Sequence, residues 1–227
     1  MSTDAKIRTN VCNLNIDLQK FGLVQWTSGN VSERLPDKKS FIIKPSGVRY
    51  EDLTPTKMVI CNLDGQVIQG KLAPSSDTAA HAYIYRHMDS VKGITHTHSN
   101  YASAWAAAGL SIPCGLTAMA DEFGGDIPIG PFAIIGNDDI GKGIVATLKN
   151  SRSPAVLMAN HGVFTIGKSA LASVKSAVMC EDVAKTMYFA QNLGKIRRIQ
   201  EQYIEQLFDR YQNIYGQSKG ASDDVKS

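Results

Sequence analysis

The 227-residue sequence predicts one α/β domain of the α+β type, with a mostly antiparallel sheet covered by helices. Three observations carry this expectation. The chain opens with one helical pattern and then runs into short strand-like segments, including a hairpin signal at Asp64-Gly65. Strands and helices do not alternate in the regular βαβ manner of a nucleotide-binding fold. No repeat or linker divides the chain, so residues 1–217 read as one domain and 218–227 as a disordered polar tail.

Ile7, Val11, Leu14, Leu18 and Phe21 recur at helical spacing, and Gly22 supplies the stop. Val24–Ser32 brackets Ser28-Gly29-Asn30 with short apolar runs. Phe41-Ile42-Ile43 reads as a buried strand ending in the turn Lys44-Pro45-Ser46-Gly47. Met58–Cys61 and Val67-Ile68 form the arms of the hairpin. Pro74–Thr78 is a capping cluster ahead of a helix from Ala79 to about Met88. Gly93–Ser99 alternates as a strand, and Ser99 can cap a following helix carrying Ala102, Trp105 and Ala106. Residues 111–137, rich in Pro and Gly, read as loop around the acidic pair Asp121-Glu122. Asp138 or Asp139 caps a helix through Leu148. Ala155–Ala159 and Val163–Ile166 read as strands joined by the turn Asn160-His161-Gly162. A long helix from about Ser169 to Leu193 ends at Gly194, and a last one carries Ile199, Tyr203, Leu207 and Ile214.

Composition narrows the function classes. Hydrophobic residues are 43% and charged ones 20%, the balance of a folded globular protein. A formal charge of +3 with scattered lysines argues against nucleic acid and against a membrane surface. Residues 1–20 lack a signal-peptide core, and no stretch is long and apolar enough to span a bilayer, so a cytosolic address is expected. The four cysteines lie far apart and suggest neither a disulfide framework nor a thiolate metal site.

The chemistry concentrates at His96-Thr97-His98. On a strand, positions i and i+2 share a face, so the two imidazoles would stand side by side. With His161 from its turn they suit a divalent metal with one open coordination position. The same pattern also suits hydrogen-bonding histidines, and spacing alone leaves both readings open. Gly29-Asn30, Lys44 with Ser46-Gly47, and Ser75-Ser76 are clusters of small donors at strand ends, fit for a phosphate or for ordinary turns. Asp77 reads as a helix-start charge, or as a carboxylate metal ligand or base close to the metal. His81 and His87 read as surface or packing residues. Gly141-Lys142-Gly143 formally opens a dinucleotide fingerprint, but it follows a helix cap and not a strand.

Taken in order, seven segments resemble the class II aldolase and ribulose-phosphate epimerase family. They are Ser28–Ser32, Ile43–Gly47, Pro74–Thr78, His96–Ser99, Ala120-Asp121, Asn160-His161-Gly162 and Tyr215-Gly216-Gln217. The resemblance implies a class II aldolase-like fold and is nearest to the epimerase branch. It implies that His96, His98 and His161 bind a divalent metal, usually Zn2+, with Asp77 as an acidic residue beside it. It implies that Gly29, Asn30, Ser46, Gly47, Ser75 and Ser76, with Lys44 nearby, hold a sugar phosphate. Asp121 and Tyr215 match an acid/base pair whose tyrosine arrives from a neighbouring subunit, which implies a homo-oligomer, a fourfold ring in this family. The epimerase branch implies C4 epimerisation of L-ribulose 5-phosphate, as in arabinose use. A sugar-phosphate aldolase, or a non-catalytic module such as the adducin head, are the rivals on this fold. Related epimerases carry a histidine and an arginine in the helix before the terminal tyrosine. Here no histidine follows His161, and Arg210 is the candidate arginine.

Overall fold

The computed structural model describes residues 3–214. Helix α1 (Thr3–Lys20) is followed by strands β1 (Asn30–Arg34), β2 (Ser40–Ile43), β3 (Val59–Asn62) and β4 (Val67–Gln69). Then come α2 (Thr78–His87), β5 (Gly93–Thr97), α3 (Asn100–Ala107), α4 (Thr117–Phe123) and β6 (Ile129–Gly130). The chain continues through α5 (Asp139–Leu148), β7 (Ala155–Met158), β8 (Gly162–Gly167), α6 (Ala170–Leu193) and α7 (Glu201–Asn213). Among the described residues the strands form one sheet in the order β4-β3-β2-β1-β5-β8-β7-β6. Every neighbouring pair is antiparallel except β6 and β7, as expected for a chain without βαβ alternation.

The two-residue period of the strands sorts the core onto the two sheet faces. Phe41, Ile43, Ile94, Val156 and Phe164 pack with buried residues of α2 and α5. Val31 and Ile42 point the other way, against α1 and α6, while Leu157 and Val163 meet α3, α4 and α6. His96 has the parity of Ile94, so the same alternation that buries Ile94 carries His96 to the α2/α5 face at the end of the central strand β5.

One expectation is corrected. Asp121 is not in a loop: Thr117–Phe123 is a helix, capped by Gly124 in the left-handed region (φ 60°). At two turns it is too short to show a periodicity. It is held by burial of Met119, Ala120 and Phe123 against α7. Gly141-Lys142-Gly143 lies inside α5, so the nucleotide fingerprint is only helix sequence. Three expected caps, at Asp77, Ser99 and Asp138, are also not side-chain caps. Neither the Asp77 nor the Ser99 side chain bonds its own helix, and the start of α3 is capped instead by Glu181, whose carboxylate accepts from the Tyr101 and Ala102 N–H groups at 2.9 Å each.

Candidate metal centre

β5 and β8 are antiparallel partners, with His96 opposite Phe164 and Thr97 opposite Val163. The β7–β8 turn therefore returns beside the end of β5, and it carries His161. Asn160 takes a left-handed φ of 58° to make that turn. Gly162 has no room for a side chain: a Cβ there would lie 2.6 Å from the Thr97 carbonyl and 2.9 Å from the His98 ring. The result is three imidazoles that each bring one ring nitrogen within 4.8 Å of the other two.

His96 is buried, and its Nδ1 lies 3.0 Å from the Val163 carbonyl oxygen. A proton on Nδ1 donates there and leaves the Nε2 lone pair facing inward, toward His98 Nε2 at 2.9 Å. Burial pushes the His96 pKa down to about 3 and lowers those of His98 and His161 as well. Neutral imidazoles with converging lone pairs are the donor set a divalent ion requires. The ring of Phe164 stacks on His96 at 4.0 Å and 16°, fixing its plane.

Asp77 stands next to this group without belonging to it. Its Oδ2 is 4.0 Å from His96 Nε2, while its Oδ1 is buried and has no hydrogen-bond partner among the described residues. Burial opposes the carboxylate charge. The His96, His81 and His161 rings and the Asn30 amide outweigh it and hold the Asp77 pKa below its usual range. His81 lies buried behind Asp77 with Nδ1 2.7 Å from Ser32 Oγ, a packing role in line with the sequence reading.

The small-residue loops meet the imidazoles in one cleft of about 180 Å³, lined among others by Gly29, Lys44, Ser46, Gly47, Ser75 and Ser76. Two backbone bonds tie the loops together: Ser46 N–H to the Ala73 carbonyl at 2.9 Å, and Ser75 N–H to the Lys44 carbonyl at 3.0 Å. Gly29 (φ 77°) is required, since a Cβ there would lie 2.5 Å from Val24 Cγ1. The Tyr50 hydroxyl holds the same turn by donating to the Ser28 carbonyl at 2.6 Å. Lys44 is buried, with Nζ bonded to the Thr27 carbonyl at 3.1 Å and 4.9 Å above the Tyr50 ring. Burial pushes its pKa down to about 8.

Not every expected site residue lines the cleft. Asn30 is buried and braces it, donating to Ser75 Oγ at 2.9 Å and to Asp77 Oδ2 at 2.8 Å. Asp121 faces α7, with Oδ2 3.7 Å from Arg210 Nη2, and it does not line the cleft of its own chain. Tyr215 lies outside the described residues. The sequence reading did not single out Thr27, Tyr50 or Ile135 as part of the site. Ile135 lines the cleft from an exposed apolar loop, and its only sequence signal is the run Phe132–Ile135 in a Pro/Gly-rich segment.

Three imidazoles at one end of an antiparallel sheet, His96 buried, His161 partly buried and His98 exposed, with donor loops beside them, form a group that could hold a divalent ion in a protein of the mixed α/β class. The chain belongs to the class II aldolase and adducin N-terminal domain family, whose model matches residues 9–188. Its fold is that of an L-fuculose 1-phosphate aldolase structure: TM-score 0.86, 23% identity, covering 93% of this chain and 98% of that one. YgbL of Klebsiella pneumoniae, a putative aldolase/epimerase/decarboxylase, is 26% identical with TM-score 0.81, covering 91% of this chain and 100% of that one. The L-fuculose-1-phosphate aldolase of Thermus thermophilus superimposes with TM-score 0.71 at 22% identity, covering 83% of this chain and 96% of that one. Among the described residues no helix is long and apolar enough to cross a membrane.

Proposed function

We propose that this chain is a cytosolic, zinc-dependent enzyme that breaks and re-forms a carbon–carbon bond of a ketose phosphate, inverting C4 of L-ribulose 5-phosphate to give D-xylulose 5-phosphate. The observation that carries the reading is the single cleft in which three imidazoles meet Lys44, Ser46, Gly47, Ser75 and Ser76. A phosphate at the loops leaves the sugar carbonyl within reach of the imidazole end.

The C4 hydrogen is not α to the C2 carbonyl, so simple proton abstraction does not invert C4. Breaking C3–C4 and re-adding the aldehyde through its other face does so with no net redox change. A divalent ion held by His96, His98 and His161 supplies, when bound, Lewis acidity at the carbonyl oxygen that receives the C3–C4 electron pair. Lys44 and the serine loops keep the glycolaldehyde phosphate fragment in the cleft while it turns. Asp121 and Tyr215 take the C4 hydroxyl proton on cleavage and return one on re-addition. They act from a partner subunit of a homotetramer. Two features support that arrangement: Asp121 lies outside its own chain's cleft, and Phe132, Ile134 and Ile135 expose an apolar surface beside it.

Aldol cleavage with release of both fragments is the second reading, favoured by the structural likeness to the fuculose-phosphate aldolases. NMR of L-ribulose 5-phosphate with zinc-loaded protein separates the two. D-xylulose 5-phosphate should accumulate. Its absence, with dihydroxyacetone phosphate released from L-fuculose 1-phosphate, assigns the aldolase.

A further inference from the structure

A second, larger cavity of about 650 Å³ opens at the other end of the strands that carry the imidazoles. Val91 before β5 and Lys168 after β8 both line it, whereas His98 and His161 stand at the opposite ends of those strands. Seven residues of strand place the two sites roughly 20 Å apart. The volume lies in the range of small-molecule sites.

The lining mixes charged and apolar side chains, with the Arg152 guanidinium 5.8 Å over the Phe208 ring. Glu122, 6% exposed, is satisfied from within: Ser176 Oγ donates to Oε1 at 2.8 Å, and Lys175 Nζ lies 2.7 Å from Oε2. Arg152 is engaged by Glu205 at 3.1 Å. Lys168 also lines the cavity but has no ion-pair partner among the described residues. It stands just before Ser169, the N-cap of the 24-residue helix α6, where the helix dipole adds to its positive charge. Lys175 and Arg152 are thus each paired with a carboxylate, and Lys168 is the lining cation left over. Val91, Leu148, Ile166 and Phe208 are among the cavity's apolar lining residues.

We propose that this cavity binds a small organic anion, a carboxylate or phosphate monoester with an apolar body, whose acid group pairs with Lys168 at the start of α6. The apolar body lies against Leu148, Ile166 and Phe208. An occupant there touches α4 through Glu122 and α7 through Phe208 and Tyr211, so it bridges the two helices that hold Asp121 against Arg210.

The test reads binding and not turnover, so its outcome is independent of the reaction assigned above. Methyl-labelled full-length protein is titrated with phenyl phosphate, with benzoate and with neutral benzyl alcohol. Saturable shifts are expected at Val91, Leu148 and Ile166 for at least one anion, with the alcohol about ten-fold weaker or more. Which anion binds more tightly tells phosphate from carboxylate. Lys168→Glu, an exposed change, should weaken the anion by about ten-fold or more while leaving the folded spectrum intact. Lys44→Met, in the metal cleft, should leave it unchanged. Shifts confined to Ile135 in the metal cleft, no saturable shift with either anion, equal affinity for the alcohol, or indifference to Lys168→Glu would each overturn the proposal.

Discussion

Asn30 and Asp77, 47 positions apart, are joined by a 2.8 Å hydrogen bond from amide Nδ2 to carboxylate Oδ2. The bond fastens the start of the central sheet to the start of α2 and turns Asp77 toward His96 and away from its own helix. Asn30→Leu should keep the fold but loosen the carboxylate, lowering metal affinity or turnover about 10- to 100-fold. Competition with a chromophoric chelator measures it, and wild-type affinity would return Asn30 to a plain packing role.

Metal should stabilise the native state through the three imidazoles. At a free concentration near one hundred times the dissociation constant, the gain is about 2.7 kcal/mol. For a chain of this size that is a rise in Tm of roughly 5–10 °C. Calorimetry with zinc and with chelator reads it, and His161→Ala should erase the difference.

Lys44 ties pH to both binding and stability. Its folded pKa, about 8, lies below the ordinary lysine value of 10.5, so the unfolded chain holds the extra proton between those values. Stability attributable to Lys44 therefore rises as pH climbs from about 8 to 10.5 and is lost again below. Phosphate affinity should run the other way, falling as the ammonium is lost above pH 8. Lys44→Met should raise Tm at pH 7 by about 2–4 °C while removing phosphate binding. A destabilised variant would show that the bonds to Thr27 and Pro45 outweigh the cost of burying the charge.

Glu181 holds the Tyr101 and Ala102 N–H groups in the first turn of α3, a helix that begins two residues past His98. Removing this cap with Glu181→Ala should cost about 1–2 kcal/mol in chemical denaturation, and Glu181→Gln should recover part of it. Equal losses in both variants would mean that the charge, and not the hydrogen bonding, supplies the stabilisation.

A shared site predicts complementation. Tyr215→Phe and His161→Ala, each inactive alone, should regain activity when mixed and reassembled, to at most about a quarter of wild type if each intact site draws on two subunits. Mixtures that stay inactive despite subunit exchange count against a tyrosine supplied by the neighbour.

Much of this was legible in the chain because local rules dictate it. Alternation put His96 on the Ile94 face, turn chemistry placed His161, and the long run from Ser169 to Leu193, closed by Gly194, announced α6. What stayed hidden depends on long-range contact. Nothing near Asn30 says that its amide reaches Asp77, and nothing near Ser99 says that Glu181 will cap α3. Thr117–Phe123 shows no pattern of its own because α7, far along the chain, supplies the surface that buries it. Asp121 was picked from its motif, but its neighbour Arg210 comes only from that packing.

The His96–Val163 hydrogen bond spans 67 positions. The imidazoles therefore come together only after β5 and β8 have paired, a non-local step that a folding chain reaches late. An ion has no three-nitrogen site to grip in the unfolded ensemble, so it does not seed the fold. Its effect falls on escape from the native basin: the loaded protein should unfold more slowly while refolding at nearly the rate of the bare chain.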